Sequence, residues 1–358
     1  MYIYIIMLLF LIFMSYIYRK TNLSRIGLCT VCFFLLVSVE AVRALDVGID
    51  LPMYIRYFLA VGKVNHNRFE IGYFYLNRFI KLFSDNPQVF VGSVSVITNL
   101  GPFFVIYKKA EKPEMSIILY FLHNFYFMTF NTIRQSIAVS LILISYIFFD
   151  DAKYIRTLLF IVSAMFFHNS AVIFFIAFIG YFVFKYIKKK RNIMLLFLGV
   201  SYFSYIFVLP YLKKYAFSGY YSYYRSNLSS HFIEANNFGS VLYVLVYLTI
   251  SIWGISCIKK SKNIPDNQYY FQLCCMFIAT GCSLLSIQIE LLSRFTHYFA
   301  IFSILFLPKV ILIKKENNSR YGQLYTVMVY SVAFLYWICI AWFRPQWFGA
   351  IPYSCFWN

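Results

Sequence analysis

The sequence FNTIRQSIAVSL at 130–141 joins an apolar run at 116–130 to a second apolar run at 136–149. Asn131 suits the N-cap of a helix that carries the second run, which places Arg134 in the first turn of that helix. There the guanidinium adds its charge to the positive end of the helix dipole and to free backbone N–H groups, a combination that binds phosphate-type anions. The stretch therefore predicts an anion site at a membrane surface, with the alternative that Arg134 only extends its charge to the lipid headgroups.

Apolar runs of this kind recur over the whole chain. The 358 residues are 61% hydrophobic and have a mean hydropathy of +0.69, whereas soluble domains are about half apolar. Short basic clusters separate the runs, and many runs have the length of a membrane-spanning helix. The composition predicts an all-α, polytopic integral membrane protein that forms a single transmembrane domain over 1–358, with no soluble domain long enough to fold alone.

Twelve membrane-spanning segments are predicted from these runs. They lie at 2–18, 26–45, 88–107, 116–130, 132–149, 154–167, 169–187, 193–210, 241–258, 269–289, 293–313 and 323–343. The first has no basic leader and no small-residue cleavage site, so it is interpreted as a retained helix rather than a signal peptide. Alternation across the membrane leaves three outer segments on the side opposite the basic connections, at 46–87, 211–240 and 344–358.

The net charge of +19 is concentrated in connections on one side of the predicted membrane. These connections hold 20 of the 32 Lys and Arg residues, at 19–25, 108–112, 153–156, 185–191, 259–262 and 309–320. The positive-inside rule makes that side cytoplasmic, so both termini and the outer segments face outward. A charge distributed in this way argues against a nucleic-acid partner.

The first outer segment contains a predicted interfacial helix at 71–83, with one apolar and one polar face. The apolar face consists of Ile71, Phe74, Tyr75, Phe79, Leu82 and Phe83, and the polar face of Asn77, Arg78 and Lys81. The second outer segment, 211–240, is polar and rich in tyrosine, which suits either the stacking of sugars or a solvated loop.

Metal and redox sites are not indicated by the sequence. Cys29 and Cys32 have the spacing of a zinc or redox pair, but they lie in an apolar run without a histidine or a second cysteine pair nearby. No pair of carboxylates has the DxD spacing of a catalytic divalent-metal site. We therefore expect no metal and no other cofactor.

Ionisable residues near the outer ends of the predicted spans are the candidate site residues, since such groups are costly at a membrane unless they are used or paired. The first cluster, next to the second span, contains Asp50, Tyr54, Arg56, Arg68 and Glu70. A carboxylate with arginines could bind sugar hydroxyls and an anion, or these charges could pair with one another.

The second cluster is FHNSA at 167–171, where His168 lies between two apolar runs near the level predicted for Arg134. An imidazole at this level could accept a proton from a hydroxyl near neutral pH. The alternative is a structural histidine whose hydrogen bonds are satisfied within the fold.

The third cluster consists of Glu290, Arg294 and Tyr298, which follow at intervals of four and share one helix face. The first two could instead form a simple ion pair within the helix. The tail adds Arg344 and Tyr353 at the same outer surface.

Six short motifs follow one another along the chain. They are GID…Y at 48–54, FE-x-GY at 69–73, N-x-IRQS-x-A at 131–138, FHNSA at 167–171, SRF-x-HY at 293–298 and IPY at 351–353. Their order resembles the EpsG-like branch of the Wzy-type polysaccharide polymerases, over nearly the whole chain. The family usually has Gly-Thr-Asp at the first motif, where this chain has Ile49 between the glycine and Asp50.

The resemblance implies a glycosyltransferase of the bacterial inner membrane that polymerises O-antigen, capsule or exopolysaccharide repeats carried on undecaprenyl pyrophosphate. The growing chain on one lipid carrier would be the donor, and a sugar hydroxyl of a new lipid-linked repeat would be the acceptor. Its active site would face the periplasm or the cell exterior. Membrane lipids, a chain-length regulator and a flippase would be its partners.

The candidate residues suit that reaction, because arginines stabilise a leaving pyrophosphate while a base removes the hydroxyl proton. The catalytic candidates are Arg134 and Arg294 for the pyrophosphate, helped by Arg56 or Arg68, and His168 or Glu70 as the base, with His168 preferred. The substrate-binding candidates are Glu290, which would orient Arg294, and Asp50, Tyr54, Gln135, Tyr298 and Tyr353, which would contact sugar.

Two other functions stay open. A lipid-linked oligosaccharide flippase would also be polytopic and basic, but it would carry charged residues at mid-membrane depth and often inverted repeats. Glu40 and Arg43, in or near the end of the second span, are charges of that kind. A scaffold protein of polysaccharide assembly is the third alternative, and it would leave the outward arginines without a role.

Overall fold

The computed structural model describes residues 1–62, 69–186, 192, 199–200, 202–208, 237–260, 266–289, 292–317, 319–345 and 348–357. Over these ranges the regular structure is helical, and one isolated antiparallel bridge joins Arg43 to Cys355. The chain divides into two compact units, Met1–Val172 with Arg320–Asn358 (unit 1) and Ile173–Ser319 (unit 2). The single transmembrane domain expected over 1–358 stays a prediction.

Most of the described helices belong to unit 1. They are α1 Tyr2–Lys20, α2 Arg25–Ala41, α3 Leu51–Ala60, α4 Ile71–Lys81, α5 Pro87–Lys109, α6 Pro113–Leu122, α7 Phe125–Met128, α8 Ile133–Asp150, α9 Tyr154–Met165 and, near the C-terminus, α15 Ser319–Phe343. A 3-10 helix, Asn169–Phe174, follows α9. Unit 2 contains α10 Phe175–Tyr186, a π-helical turn Ser204–Val208, α11 Asn237–Lys260, α12 Asn267–Ser286, α13 Ser293–Ala300 and α14 Ser303–Asn317.

Six helices in the described ranges are long and apolar enough to cross a membrane, namely α1, α5, α8, α11, α12 and α15. A seventh span results if α13 and α14, which meet at a bend of 47°, are counted as one. These helices confirm the all-helical prediction and are consistent with a polytopic membrane protein. They coincide with the spans predicted at 2–18, 88–107, 132–149, 241–258, 269–289 and 323–343.

The other predicted spans are shorter or interrupted. The run at 116–130 is divided into α6 and α7 at Asn124, whose φ of 64° is a left-handed conformation that asparagine tolerates better than most residues. α2 is shorter than predicted, with 17 residues, and the segments 154–167 and 169–187 contain α-helices of 12 residues each. The span at 193–210 falls mostly outside the described residues, so the total of twelve stays a prediction.

A glycine facing a serine allows α5 and α8 to pack closely in unit 1. The Ser140 hydroxyl accepts a hydrogen bond from the Gly101 N–H (2.7 Å) and donates one to the Ile97 carbonyl (3.0 Å). It thus bridges a donor and an acceptor of one turn of α5, beside Pro102, a residue type that bends helices. A Cβ on Gly101 would lie 2.3 Å from the Ser140 carbonyl oxygen, so this approach requires glycine.

Charged residues gather at one end of unit 1. Arg19 pairs with Glu114 at 3.1 Å, and Lys109 pairs with Asp150 at 2.5 Å. These contacts join the end of α1 to the start of α6, and the end of α5 to the end of α8. Arg134, in the first turn of α8, is about 24 Å from Asp150 along the helix axis, at 1.5 Å per residue. The anion-site candidate therefore lies at the opposite end of unit 1 from these ion pairs.

The helix predicted at 71–83 is present as α4, and most of its apolar face is exposed. The exposed side chains are Ile71, Tyr75 and Phe79, with Leu82 and Phe83 just beyond the helix. Two positions differ from the prediction. Phe74 is buried, and Asn77 is fully buried, where its side-chain amide donates to the Tyr73 carbonyl at 2.7 Å. Phe74 belongs to the cluster that α4 forms with α3 and α5, and Asn77 lies one turn further along the helix. The interfacial location of α4 stays a prediction.

We expect Gly101→Ala to lower the stability of the detergent-solubilised protein by roughly 1–3 kcal/mol, because the added methyl group cannot fit without moving α8. Gly92→Ala in the same helix is the matched control, since the nearest atom to a Cβ there is 3.8 Å away. The measurement is the thermal unfolding midpoint of each purified variant. Equal midpoints for the two variants would contradict the packing described for α5 and α8.

Candidate active site

One carboxylate joins residues from three distant parts of the sequence in unit 1. Glu70, directly before α4, accepts a charge-assisted hydrogen bond from Nη1 of Arg134 through its Oε2. Its Oε1 lies 3.1 Å from Nδ1 of His168 and 3.4 Å from the backbone nitrogen of Asn169. The structure therefore brings together Arg134, Glu70 of the first cluster and the candidate base His168.

The backbone around Gly72 holds α4 against the end of α9. The Gly72 N–H donates to the Phe166 carbonyl at 2.9 Å, and a Cβ on Gly72 would lie 2.8 Å from that same oxygen. Such an approach requires the absence of a side chain. Because Glu70 is two residues before Gly72 and His168 is two residues after Phe166, this contact sets the distance between the carboxylate and the imidazole.

Glu70 is a carboxylate over the whole physiological pH range. Burial raises its pKa, but the hydrogen bond with His168 and the charge of Arg134 outweigh burial and lower the pKa from 4.5 to about 2. An ionised carboxylate has no proton to donate, so Nδ1 of His168 must be the donor in their contact. In the neutral imidazole, Nε2 then carries the lone pair and can accept a proton.

Solvent reaches this cluster only in part. The side chains of Glu70, His168 and Arg134 are 10%, 14% and 17% exposed, respectively. In this setting the imidazole has the arrangement of a base, the carboxylate that of the acid that orients it, and the guanidinium that of an anion-binding cation. Low exposure also strengthens their mutual electrostatic interactions.

Aromatic side chains surround the guanidinium of Arg134. Its Cζ lies 4.3 Å from the centroid of the Phe69 ring, within cation–π distance. Tyr54 of α3 hydrogen-bonds to Arg134 and packs against Phe69 and Tyr73, with ring centroids 6.0 and 5.7 Å apart. The structure thus places Tyr54 beside Arg134, and its predicted role in substrate binding stays a prediction. The motif FE-x-GY contains Phe69, but no helical or strand pattern in the sequence predicts its contact with Arg134.

Asn131 does not cap α8, contrary to the sequence-based prediction. The N-cap is Thr132, whose hydroxyl donates back to the Met128 carbonyl at 3.0 Å. Asn131 Oδ1 instead accepts a hydrogen bond from the Ile49 N–H at 2.6 Å. Arg134 still occupies the first turn of α8, and Asn131 links that turn to the loop that carries Asp50.

The loop before α3 needs a glycine next to the start of α8. Gly48 has a φ of +118°, and a Cβ there would lie 2.5 Å from the Phe130 carbonyl oxygen. Its N–H donates to the Gly349 carbonyl at 2.9 Å. Asp50 follows at the N-cap position of α3, partly buried, in the loop that these contacts hold near the start of α8.

The C-terminal tail supports this loop from the other side. Ala44 N–H donates to the Ser354 carbonyl at 2.9 Å, and Phe356 N–H donates to the Val42 carbonyl at 3.0 Å. The hydroxyl of Tyr353 donates to the Val39 carbonyl at 2.8 Å. Tyr353 was expected to contact sugar, and in the structure its hydroxyl contributes to the attachment of the tail to the end of α2.

Arg56 and Gln135 have different surroundings in the structure, one exposed on α3 and the other buried in α8. Arg56 is exposed, its Nε donates to the Pro52 carbonyl at 3.3 Å, and it lies two residues from Tyr54, on the other side of α3. Gln135 is buried next to Arg134 in α8. Their predicted roles as a helper and as a sugar contact stay predictions.

The remaining candidates lie in unit 2 or outside the described residues. Tyr298 is fully buried in α13, and Arg294, one turn earlier, is partly buried. Arg68 and Glu290 lie outside the described residues, so the predicted orientation of Arg294 by Glu290 stays a prediction. The roles expected of Arg294 and Tyr298 also stay predictions.

The pair of Glu40 and Arg43 is fully buried in unit 1, with Oε1 and Nη1 4.0 Å apart. Glu40 Oε2 accepts a hydrogen bond from Asn99 at 2.7 Å, and Asn99 in turn accepts one from the Tyr120 hydroxyl at 3.0 Å. The guanidinium of Arg43 lies 4.4 Å from the centroid of Phe130. These contacts connect α2, α5 and α6, and Arg43 supports Phe130, the first residue of the stretch at 130–141.

Comparison with known proteins agrees with the order of motifs. The sequence model of the EpsG family matches residues 25–355, a range that includes all six motifs. No curated protein and no solved structure matches the chain significantly.

We expect Glu70→Gln to destabilise the purified protein by about 3 kcal/mol at pH 7, because it leaves a largely buried guanidinium without its counter-charge. A lowered carboxyl pKa stabilises the fold above the unfolded value of about 4.5, and this contribution is lost as the pH falls towards 2. The penalty should therefore be nearly the same at pH 5 as at pH 7, and smaller at pH 3. Thermal unfolding midpoints of wild type and variant at the three pH values measure it.

Asp85→Asn is the matched control for this substitution. Asp85 pairs with Lys81 at 3.5 Å and is 80% exposed, so its loss should cost less than about 1 kcal/mol. A Glu70→Gln penalty that disappears between pH 7 and pH 5 would show that Glu70 protonates near neutral pH, against the ion pair described above.

Proposed function

The chain belongs to the EpsG family, and on this premise we propose that it is a polysaccharide polymerase, a membrane glycosyltransferase that joins oligosaccharide repeats carried on undecaprenyl pyrophosphate. The observation that carries the proposal is the contact of Glu70 with both His168 and Arg134. It combines a base whose Nε2 carries a lone pair and a cation suited to a phosphate-type leaving group in one partly buried cluster.

In the proposed reaction, a sugar hydroxyl of one lipid-linked repeat attacks the anomeric carbon of the chain on a second lipid carrier. The new glycosidic C–O bond forms as the bond from the anomeric carbon to the pyrophosphate oxygen breaks. Nε2 of His168 takes the hydroxyl proton, and the electron pair of the broken bond leaves with the lipid pyrophosphate. Atoms and charge balance without a metal or an external co-reactant.

Glu70 acts in this scheme as a positioning residue rather than as the base. Its low pKa makes it a weak proton acceptor, while its hydrogen bond holds His168 in the tautomer that exposes the Nε2 lone pair. When His168 becomes an imidazolium, the neighbouring carboxylate stabilises the new positive charge, as in the acid–histidine pairs of hydrolases.

Arg134 would stabilise the pyrophosphate as negative charge develops on it. The N-terminal turn of α8 adds backbone N–H groups and the positive end of the helix dipole. Stacking on Phe69 and the bond to Glu70 restrict the rotamers of Arg134, so little conformational entropy is lost when the anion binds.

The orientation of the site follows from the proposal and the charge pattern. Arg134 and the ion pairs of Arg19 and Lys109 lie at opposite ends of unit 1. If the basic end is cytoplasmic, as the positive-inside rule expects, the site faces the periplasm or the cell exterior. That is the side on which exported lipid-linked repeats would be available.

We expect His168→Ala and Arg134→Ala each to reduce polymerisation by about 10²-fold or more, since each removes a group that acts in the transition state. Arg156→Ala is the control, because Arg156 is an exposed arginine of α9 near the opposite end of that helix from His168. The readout is the size ladder of the cell-surface glycan at equal membrane abundance of each variant. A normal ladder from the His168 and Arg134 variants would refute the assignment.

Deletion of the whole protein distinguishes a polymerase from a flippase. A polymerase predicts that the ladder is lost while single repeats still reach the cell surface, because export and ligation work without it. The contrary outcome is loss of all surface glycan with lipid-linked repeats trapped on the cytoplasmic side. That result would identify the protein as a flippase, with the buried pair of Glu40 and Arg43 as the first residues to study.

A further inference from the structure

An open groove of ≈470 Å³ lies between α1, α6 and α15 of unit 1. Most of its lining is apolar, with Leu8 and Ile12 on α1, Ile118 and Leu122 on α6, and Phe334 on α15. Both α1 and α15 are long and apolar enough to cross a membrane. The groove is therefore open to the hydrocarbon of the bilayer along much of its length.

One end of the groove is polar. Arg19, in the last turn of α1, lines the groove there, and its side chain is 46% exposed. Its Nε donates to Glu114 at 3.1 Å, and Tyr330 of α15 also lines the groove. From Leu8 to Arg19 the groove follows α1 for about 16 Å, at 1.5 Å per residue. The cation thus marks the level where a membrane helix meets the headgroups.

We propose that this groove binds one acyl chain of an anionic phospholipid, with the lipid phosphate at Arg19. The apolar lining matches an acyl chain, and a guanidinium at the headgroup level matches a phosphate, which arginine binds through two parallel N–H groups. Arg19 binds the carboxylate of Glu114 through Nε, and this bond orients the guanidinium. The two terminal nitrogens of Arg19 are not used in that bond. Basic pockets between membrane helices bind anionic headgroups in this way.

The charge at Arg19 decides between this occupant and others. A second copy of this chain that packed an apolar helix into the groove would offer no anion to the terminal nitrogens of the guanidinium, which the bond to Glu114 through Nε does not use. Lys20, the next residue, is also exposed and adds positive charge at the same end of α1. A headgroup with net negative charge therefore fits better than a zwitterionic one, and the site lies at the opposite end of unit 1 from Glu70 and Arg134.

The test quantifies the phospholipids that co-purify with the full chain in a non-ionic detergent, by mass spectrometry of the extracted lipids. Arg19→Gln combined with Glu114→Gln removes the cation without leaving a buried carboxylate unpaired. Ile12→Trp fills the groove from an exposed position of α1. Arg156→Gln removes an exposed arginine elsewhere in unit 1 and is the control.

We expect wild type and the Arg156→Gln control to retain about one anionic phospholipid per chain. Both groove variants should retain roughly tenfold less, a change equivalent to ~1.4 kcal/mol of binding free energy. Equal retention by all four proteins, retention of zwitterionic lipid in the same amount, a polyprenyl phosphate in place of a phospholipid, or a dimer that Ile12→Trp dissociates would each overturn the proposal. Because the readout is bound lipid, its failure would leave the proposed polymerase activity untouched.

Discussion

An arginine that is mostly buried beside a membrane needs a negative partner, because an unpaired guanidinium there costs several kcal/mol. Glu70 supplies that partner to Arg134 and is at the same time the acceptor for His168 and for the backbone of Asn169. The start of α4, the start of α8 and the end of α9 therefore converge on one carboxylate. The convergence that stabilises the charge also sets the histidine tautomer, so one interaction serves both the fold and the proposed chemistry.

Close backbone contacts make this convergence geometrically feasible. Gly72 allows α4 to touch the last turn of α9, and Gly48 allows the loop before α3 to touch the start of α8. The carbonyl of Gly349 in the tail accepts a hydrogen bond from the Gly48 N–H of that same loop. Just before α8, the buried Arg43 lies against Phe130. Backbone contacts thus hold much of the site, and the side chains of Glu70, Asn131 and Tyr353 add hydrogen bonds to them.

Much of the fold, and part of the site, could be predicted from local sequence patterns. Apolar length predicts the long spans, and the pattern of the α4 region predicts its exposed apolar face, while Arg134 does occupy the first turn of α8. Such patterns do not predict contacts between residues that lie 64 or 98 positions apart in the sequence, as Glu70 does from Arg134 and His168. Helical periodicity shows which face is apolar but not which helices meet, so the pairing of Glu70 with both partners was not predictable. Asn131 failed as a cap for the same reason, since a distant N–H competes for its side chain.

The central claim is that Glu70 acts through His168, and a double-mutant cycle tests it most directly. Rates of repeat polymerisation would be measured in reconstituted membranes for Glu70→Gln, His168→Ala and the double variant, at equal protein content. Groups that act as one unit are strongly non-additive. The account predicts that the double variant loses less activity than the product of the two single losses, because without His168 only the effect of Glu70 on Arg134 remains to be lost. Effects of the two substitutions that multiply in the double variant would contradict it, because Glu70 would then contribute to catalysis independently of the histidine.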